Sequence, residues 1–112
     1  MIRIETLVAR FPALERADVE RWVAMEWVRA ERDADVYLFR EIDVARVELI
    51  LQLRDDMDVN EDALPVVLSL IDQLYAARRR MRELDEALAT APESVRREIA
   101  DRLAGRSGAA TL

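Results

Sequence analysis

The chain has 112 residues, enough for one ordinary domain with a short appendage. It has no cysteine and no histidine, which excludes disulfides, thiolate metal sites, the usual zinc ligand and the usual general base. The net charge is −6, all 17 basic residues are arginine, and residues 1–65 hold 16 acids against nine arginines, a poor start for neutralising phosphates and a better one for meeting a basic protein.

Glycine is scarce and proline numbers three, while Ala, Leu, Glu and Arg abound. These residues lose little entropy in a helix, so a mostly α-helical chain is expected. MIRI at the start alternates Ile2 and Ile4 around Arg3 and reads as a short strand. A short helix follows over ETLVARF, with Leu7, Val8 and Phe11 on one face, until Pro12 breaks it. A second helix is expected over about 15–24, with Leu14, Val19, Trp22 and Val23 as its buried stripe; Trp22 reads as core.

The segment from Val28 to Phe39 reads as a small hairpin, or wing. Val28 and VYLF bracket a charged loop, RAERDAD. A third helix is expected over roughly 43–56, started by Asp43 or the residue before it. Val44, Val47, Ile50, Leu51 and Leu53 or Arg54 set its pattern. DDMDVNED then turns the chain. Asn60 or Asp62 can cap the next helix, and Asp62 is preferred because Pro65 then falls in the first turn.

A long helix is expected over 63–89. Its heptad stripe runs Val67, Leu70, Leu74, Ala77, Met81, Leu84 and Leu88. A second stripe, Leu64, Leu68, Ile71 and Tyr75, exists only in the first half. The first half therefore packs on the head, and the second half projects with one narrow seam. Leu70, Leu74, Ala77, Met81, Leu84 and Leu88 are the candidate oligomer seam, and a homodimer is expected. Thr90 and Glu93 have capping-box spacing ahead of a small helix with Val95, Ile99 and Leu103. Gly105 can end it, leaving a frayed GRSGAATL. The domains read as a head over 1–65, the long helix over 63–89, and a tail over 90–112.

Signals of catalysis are missing: no Gly-rich phosphate loop and no serine in a nucleophile setting. The chain reads as a binding protein, with no catalytic set, cofactor or metal. Asp55, Asp56 and Asp58 lack the calcium-loop pattern and read as a solvated acidic run. Arg78, Arg79, Arg80 and Arg82 are followed at once by Glu83, Asp85 and Glu86, which offer i,i+4 partners. No run approaches the ~20 apolar residues of a membrane helix. Residues 1–11 lack the apolar run of a leader. A soluble cytoplasmic protein without a membrane partner is expected.

The order strand, two-helix turn, wing, helix, long helix resembles the MerR-like winged helix-turn-helix fold with a coiled-coil-like C-terminal helix. Within it, FPALERADVERWVAMEWV, VYLFREIDVARVELILQLRDDMDV and ALPVVLSLIDQLYAARRRMRELDEAL resemble the bacterial chaperone-modulator family of the CbpM type, over residues 1 to about 89. The resemblance implies binding to, and inhibition of, a DnaJ-like co-chaperone, CbpA, through its J-domain. The alternative is a MerR-like DNA-binding transcription regulator. In such DNA binders the second helix carries an Arg after the turn, another three residues on, and an aromatic pair. Here those positions are Ala17, Glu20, Arg21 and Trp22, so both basic positions are lost. DNA binding is disfavoured, though Arg16, Arg21, Arg29 and Arg32 leave it open.

J-domains carry a basic helix surface. Two acidic surfaces are candidates to meet it. One is Glu15, Asp18 and Glu20 on the second helix. The other is Asp55, Asp56, Asp58, Glu61 and Asp62 between the third and long helices, with Asp72 beyond. The second is preferred because negative charge is densest there. Acidic–basic pairing would set encounter rate and register.

Overall fold

In chain order the elements are β1 (Ile2–Arg3), α1 (Ile4–Arg10), α2 (Arg16–Ala24), β2 (Glu31–Asp33), β3 (Val36–Phe39), α3 (Glu41–Leu51), α4 (Leu64–Ala89) and α5 (Glu93–Ala109). The computed structural model describes residues 1–109. The fold is mostly α-helical with one small antiparallel sheet in the order β1-β3-β2. Two compact units divide the chain, residues 1–70 and 71–112.

The first unit holds the core. Ile4 and Leu7 from α1, Val19 and Trp22 from α2, Phe39 from β3, and Val44, Val47, Ile50 and Leu51 from α3 are all buried. Leu64 and Leu68 join them from the first turns of α4. Every element of the first unit but β1 and β2 thus contributes at least one buried apolar side chain. Burying such a side chain contributes roughly 1.5–3 kcal/mol, which is why the amphipathic patterns hold here.

β1 is shorter than the alternation of MIRI suggests. Ile2 and Arg3 pair with Phe39 and Leu38, but Ile4 is already helical and buried. The helix takes Ile4 because that places it one turn from Leu7. The hairpin also differs. The charged stretch expected as a loop is itself strand β2, with Glu31, Arg32 and Asp33 opposite Leu38, Tyr37 and Val36. Only Ala34 and Asp35 form the turn, both left-handed at φ 49° and 66°. That is the geometry of a two-residue hairpin whose twist matches the strands. Polar residues can form β2 because it is an edge strand with every side chain exposed. Arg32 covers the Tyr37 ring at 5.3 Å.

α3 begins at Glu41, two residues before the expected start. Asp43 acts from the third position inward: its Oδ2 accepts the Arg40 backbone N–H at 3.0 Å and the Arg40 Nε at 3.2 Å. Its end is unusual. Gln52–Asp56 continues as a turn of π-helix, closed by Met57 N–H donating to Gln52 O at 3.1 Å. Asp58 follows in the left-handed region at φ 54°, and Val59 N–H reaches back to Leu53 O at 2.9 Å. A similar stop ends α2. Glu26 at φ 63° lets Trp27 N–H bond Trp22 O at 2.9 Å and Glu26 N–H bond Val23 O at 3.1 Å, a Schellman closure without glycine.

Asn60, not Asp62, caps the turn before α4. Its Oδ1 accepts the Ala63 N–H at 2.9 Å, and its carbonyl accepts from Ala63 and Leu64. Pro65 is still second in the helix, where its missing N–H costs least. Thr90 and Glu93 do not form a capping box; Thr90 Oγ1 donates instead to Ala87 O at 3.0 Å. α5 runs through Gly105 to Ala109 rather than ending there. Of the frayed stretch expected after Gly105, residues 110–112 lie outside the described residues.

The hairpin supplies a stability prediction. Ala34 is exposed and left-handed, a conformation that costs an L-residue roughly 1–2 kcal/mol and glycine almost nothing. Ala34→Gly should therefore raise stability by about 1 kcal/mol, read as a higher urea midpoint at unchanged slope.

Candidate partner-binding surfaces

Two of the acids expected on the second helix, Asp18 and Glu20, are held by arginines of the same unit. Asp18 is half-buried. Its Oδ2 takes the Glu15 backbone N–H at 3.2 Å and Arg54 Nη1 at 3.2 Å, and its Oδ1 takes Arg21 Nη2 at 3.2 Å. Glu20 is exposed but paired with Arg16 Nε at 2.8 Å, and Arg16 also reaches Glu5 at 3.2 Å. The hydrogen bonds that Arg16 donates to Glu20 and then to Glu5 raise its pKa. Glu5 is held below the ordinary carboxylate range by a backbone hydrogen bond first and by Arg16 second. Glu15 precedes the first residue of α2 and is exposed. The arginines here form no continuous positive face either. Arg21 bonds both Asp18 and Glu61, and Arg32 lies over Tyr37.

Arg54 joins these groups. The π turn presents it to the α1–α2 connection and to α2. Its Nη2 donates to Ala13 O at 3.2 Å, its Nη1 pairs with Asp18, and its Nε donates to Asp55 Oδ1 at 2.8 Å. The guanidinium carbon is 5.5 Å from the Trp22 ring centroid. The hydrogen bonds that Arg54 donates to Asp55, then to Asp18, push its pKa above the usual value, so the group stays charged. In return Arg54 lowers the Asp55 pKa. Trp22 and Arg54 were each visible in the sequence as members of an apolar pattern. Their stacking was not, because no local spacing announces a π turn.

The turn between α3 and α4 is different. Asp56, Asp58 and Asp62 are exposed and, among the described residues, have no ion-pair or hydrogen-bond partner. Asp55 is committed to Arg54 and Glu61 to Arg21. In the same stretch Met57 is 67% exposed, and Val66 and Leu70 on α4 are also exposed. Free carboxylates thus adjoin uncovered apolar side chains within the first unit. No signal beyond its place in the acidic run marked Met57 in the sequence.

In the second unit, Asp72 is exposed on α4. The seam is uncovered: Leu74, Met81 and Leu84 are exposed, as are Ala77 and, just before the unit boundary, Leu70; Leu88 is half-buried. The i,i+4 pairs expected between Arg79 and Glu83 and between Arg82 and Glu86 are not made, whereas α5 makes Arg97–Glu93 at 3.0 Å and Arg102–Glu98 at 2.9 Å.

Among the described residues no cluster of three acidic side chains could hold a metal ion, and no helix is long and apolar enough to cross a membrane. Compared with known proteins, the chain matches no family, no curated protein and no solved structure.

Two predictions follow from the Arg54 contacts. Arg54→Met keeps the packing on Trp22 but leaves Asp18 short of one cation; it should cost about 2 kcal/mol, against less than about 0.5 kcal/mol for Arg16→Ala, whose ion pairs are solvent-exposed. Urea unfolding checks both. The second concerns pH. Asp55 binds a proton less readily folded than unfolded, so its contribution is present above the unfolded pKa and is lost as pH falls through the lower folded value. Stability should decline on acidification below about pH 4, and Asp55→Asn should flatten part of that decline.

Proposed function

We propose that this chain is a binding protein that inhibits a DnaJ-like co-chaperone by engaging its J-domain. The head is proposed to be a MerR-like winged helix whose second helix no longer reads DNA, and the second half of α4 a coiled-coil segment. The order β1, α1, α2, β2–β3 hairpin, α3, α4 supports the fold reading. The observation that carries the functional reading is the α3–α4 turn, where Asp56, Asp58 and Asp62 are exposed and unpaired beside the exposed Met57. A basic helix would meet those carboxylates, and Met57 would supply the desolvated anchor that charges alone do not.

Ion pairing favours the α3–α4 turn over α2 as the proposed contact surface. Glu20 and Asp18 are neutralised by Arg16, Arg21 and Arg54, so α2 offers little free negative charge. The same pairs weigh against the DNA-regulator reading. Arg16 and Arg21 would have to leave carboxylates to reach phosphates.

The test is a titration of the isotope-labelled protein with a J-domain at low salt, following amide shifts. Shifts should cluster on residues 55–62 and the start of α4. Asp56→Arg with Asp62→Arg should weaken binding at least about tenfold and reduce its salt dependence; these two positions avoid the acid that holds Arg54 and the left-handed Asp58. Glu20→Gln should leave affinity unchanged. Silence at high micromolar J-domain, or tight salt-sensitive binding to duplex DNA instead, would overturn the reading.

A further inference from the structure

The second unit exposes an apolar stripe and, beside it, charges that form no ion pair among the described residues. Leu74, Met81 and Leu84 are 49%, 56% and 62% exposed. With Ala77 and Leu88 they occupy alternating a and d positions of a heptad. Among the described residues, Arg78, Arg79, Arg80, Arg82, Glu83, Asp85 and Glu86 form no ion pair within the chain. Tyr75, Arg78, Met81, Arg82 and Asp85 line a shallow groove along this part of α4.

We propose that a second copy of this chain covers the stripe, antiparallel, with the two α4 helices crossing between Arg82 and Glu83. This is independent of any J-domain role. Charge sets the direction. Residues 78–82 carry four arginines, and residues 83–86 carry three acids. A parallel copy lays arginines beside arginines and acids beside acids, with only the Arg80–Asp85 flanking pair to offset it. An antiparallel copy crossing at that point lays the basic run along the acidic run. Arg78 then flanks Asp85 of the second copy, and two-fold symmetry makes the contact twice. Packing agrees. Met81 faces Leu84 and Ala77 faces Leu88, so in these layers the small side chain meets a large one, while Leu74, level with position 91, lies beyond the overlap of the two α4 helices.

Two experiments test this on the full chain. Sedimentation equilibrium gives the dimer constant for single and double charge reversals at exposed positions, with helix content checked by circular dichroism. Arg78→Asp and Asp85→Arg should each weaken the dimer about five- to tenfold, and the double variant should return it to within about twofold of the starting value. In a parallel pair these two residues do not meet, and the double variant would not recover. The chain has no cysteine, so Asp72→Cys gives a single attachment point for a spin label. In the antiparallel register the two labels are about 30 Å apart along the helix axis. A parallel dimer would put them level with each other, on helices whose axes are about 10 Å apart. Recovery with the long distance supports the proposal. A short distance, failure to recover, or a monomer at every concentration overturns it.

Discussion

The first unit depends on one partly buried cation. Arg54 places its donors on Ala13, Asp18 and Asp55 and its face over Trp22, the largest fully buried side chain. Through it, the end of α3 is tied to the α1–α2 connection and to the first turn of α2. Arg54 makes those contacts from within the π turn. A charge-assisted bond in a low-dielectric setting is stronger than its surface counterpart. Breaking it on one side also strands a carboxylate. The ion pairs are therefore unequal: those around Arg54 fix geometry, while those of α5 lie in solvent and fix little.

That cation also changes the meaning of the charge count. Counted along the sequence, α2 and its approach look acidic. In three dimensions Asp18 is shared by two arginines, and Glu20 answers Arg16. A carboxylate already held by guanidinium groups neither repels phosphate strongly nor attracts a basic helix. The same excess of acid over base, displaced some forty residues along the chain, stays exposed at Asp56, Asp58 and Asp62. Net charge is thus a property of the chain, but available charge is a property of the fold. Only the second can select a partner.

The apolar periodicities made much of the fold legible. The stripes of α1, α2 and α3 predicted Leu7, Val19, Trp22, Val44, Val47 and Ile50 as core, and all are buried. What the sequence did not show shares one cause, a decision made by the backbone rather than by side-chain pattern. Among the described residues four other than glycine adopt positive φ, Glu26, Ala34 and Asp58 among them. None has the glycine that would announce a stop or a tight hairpin. β2 was hidden for a related reason: an edge strand with no buried face leaves no alternation to read. At the candidate site the carboxylates were legible one by one. Their pairing was not, because Arg21–Glu61 and Arg54–Asp18 join residues about forty positions apart.

The two units differ in what they require. The first buries aliphatic and aromatic side chains from five helices and strands and can hold itself together. The second buries none among the described residues, and its helices expose Leu74, Met81, Leu84, Val95 and Leu103. Isolated helices in water are marginal even when propensity is favourable, because nucleation is costly and tertiary packing supplies most of the stability. α4 escapes part of that cost, since Leu64 and Leu68 nucleate it within the first unit. α5 has no such anchor and relies on i,i+4 pairs worth a few tenths of a kcal/mol each. A helix that keeps a regular apolar stripe without covering it, next to runs of opposite charge without pairing them, has both halves of an interface and lacks the opposite side. An antiparallel copy supplies both halves at once, which a basic or an acidic partner alone would not.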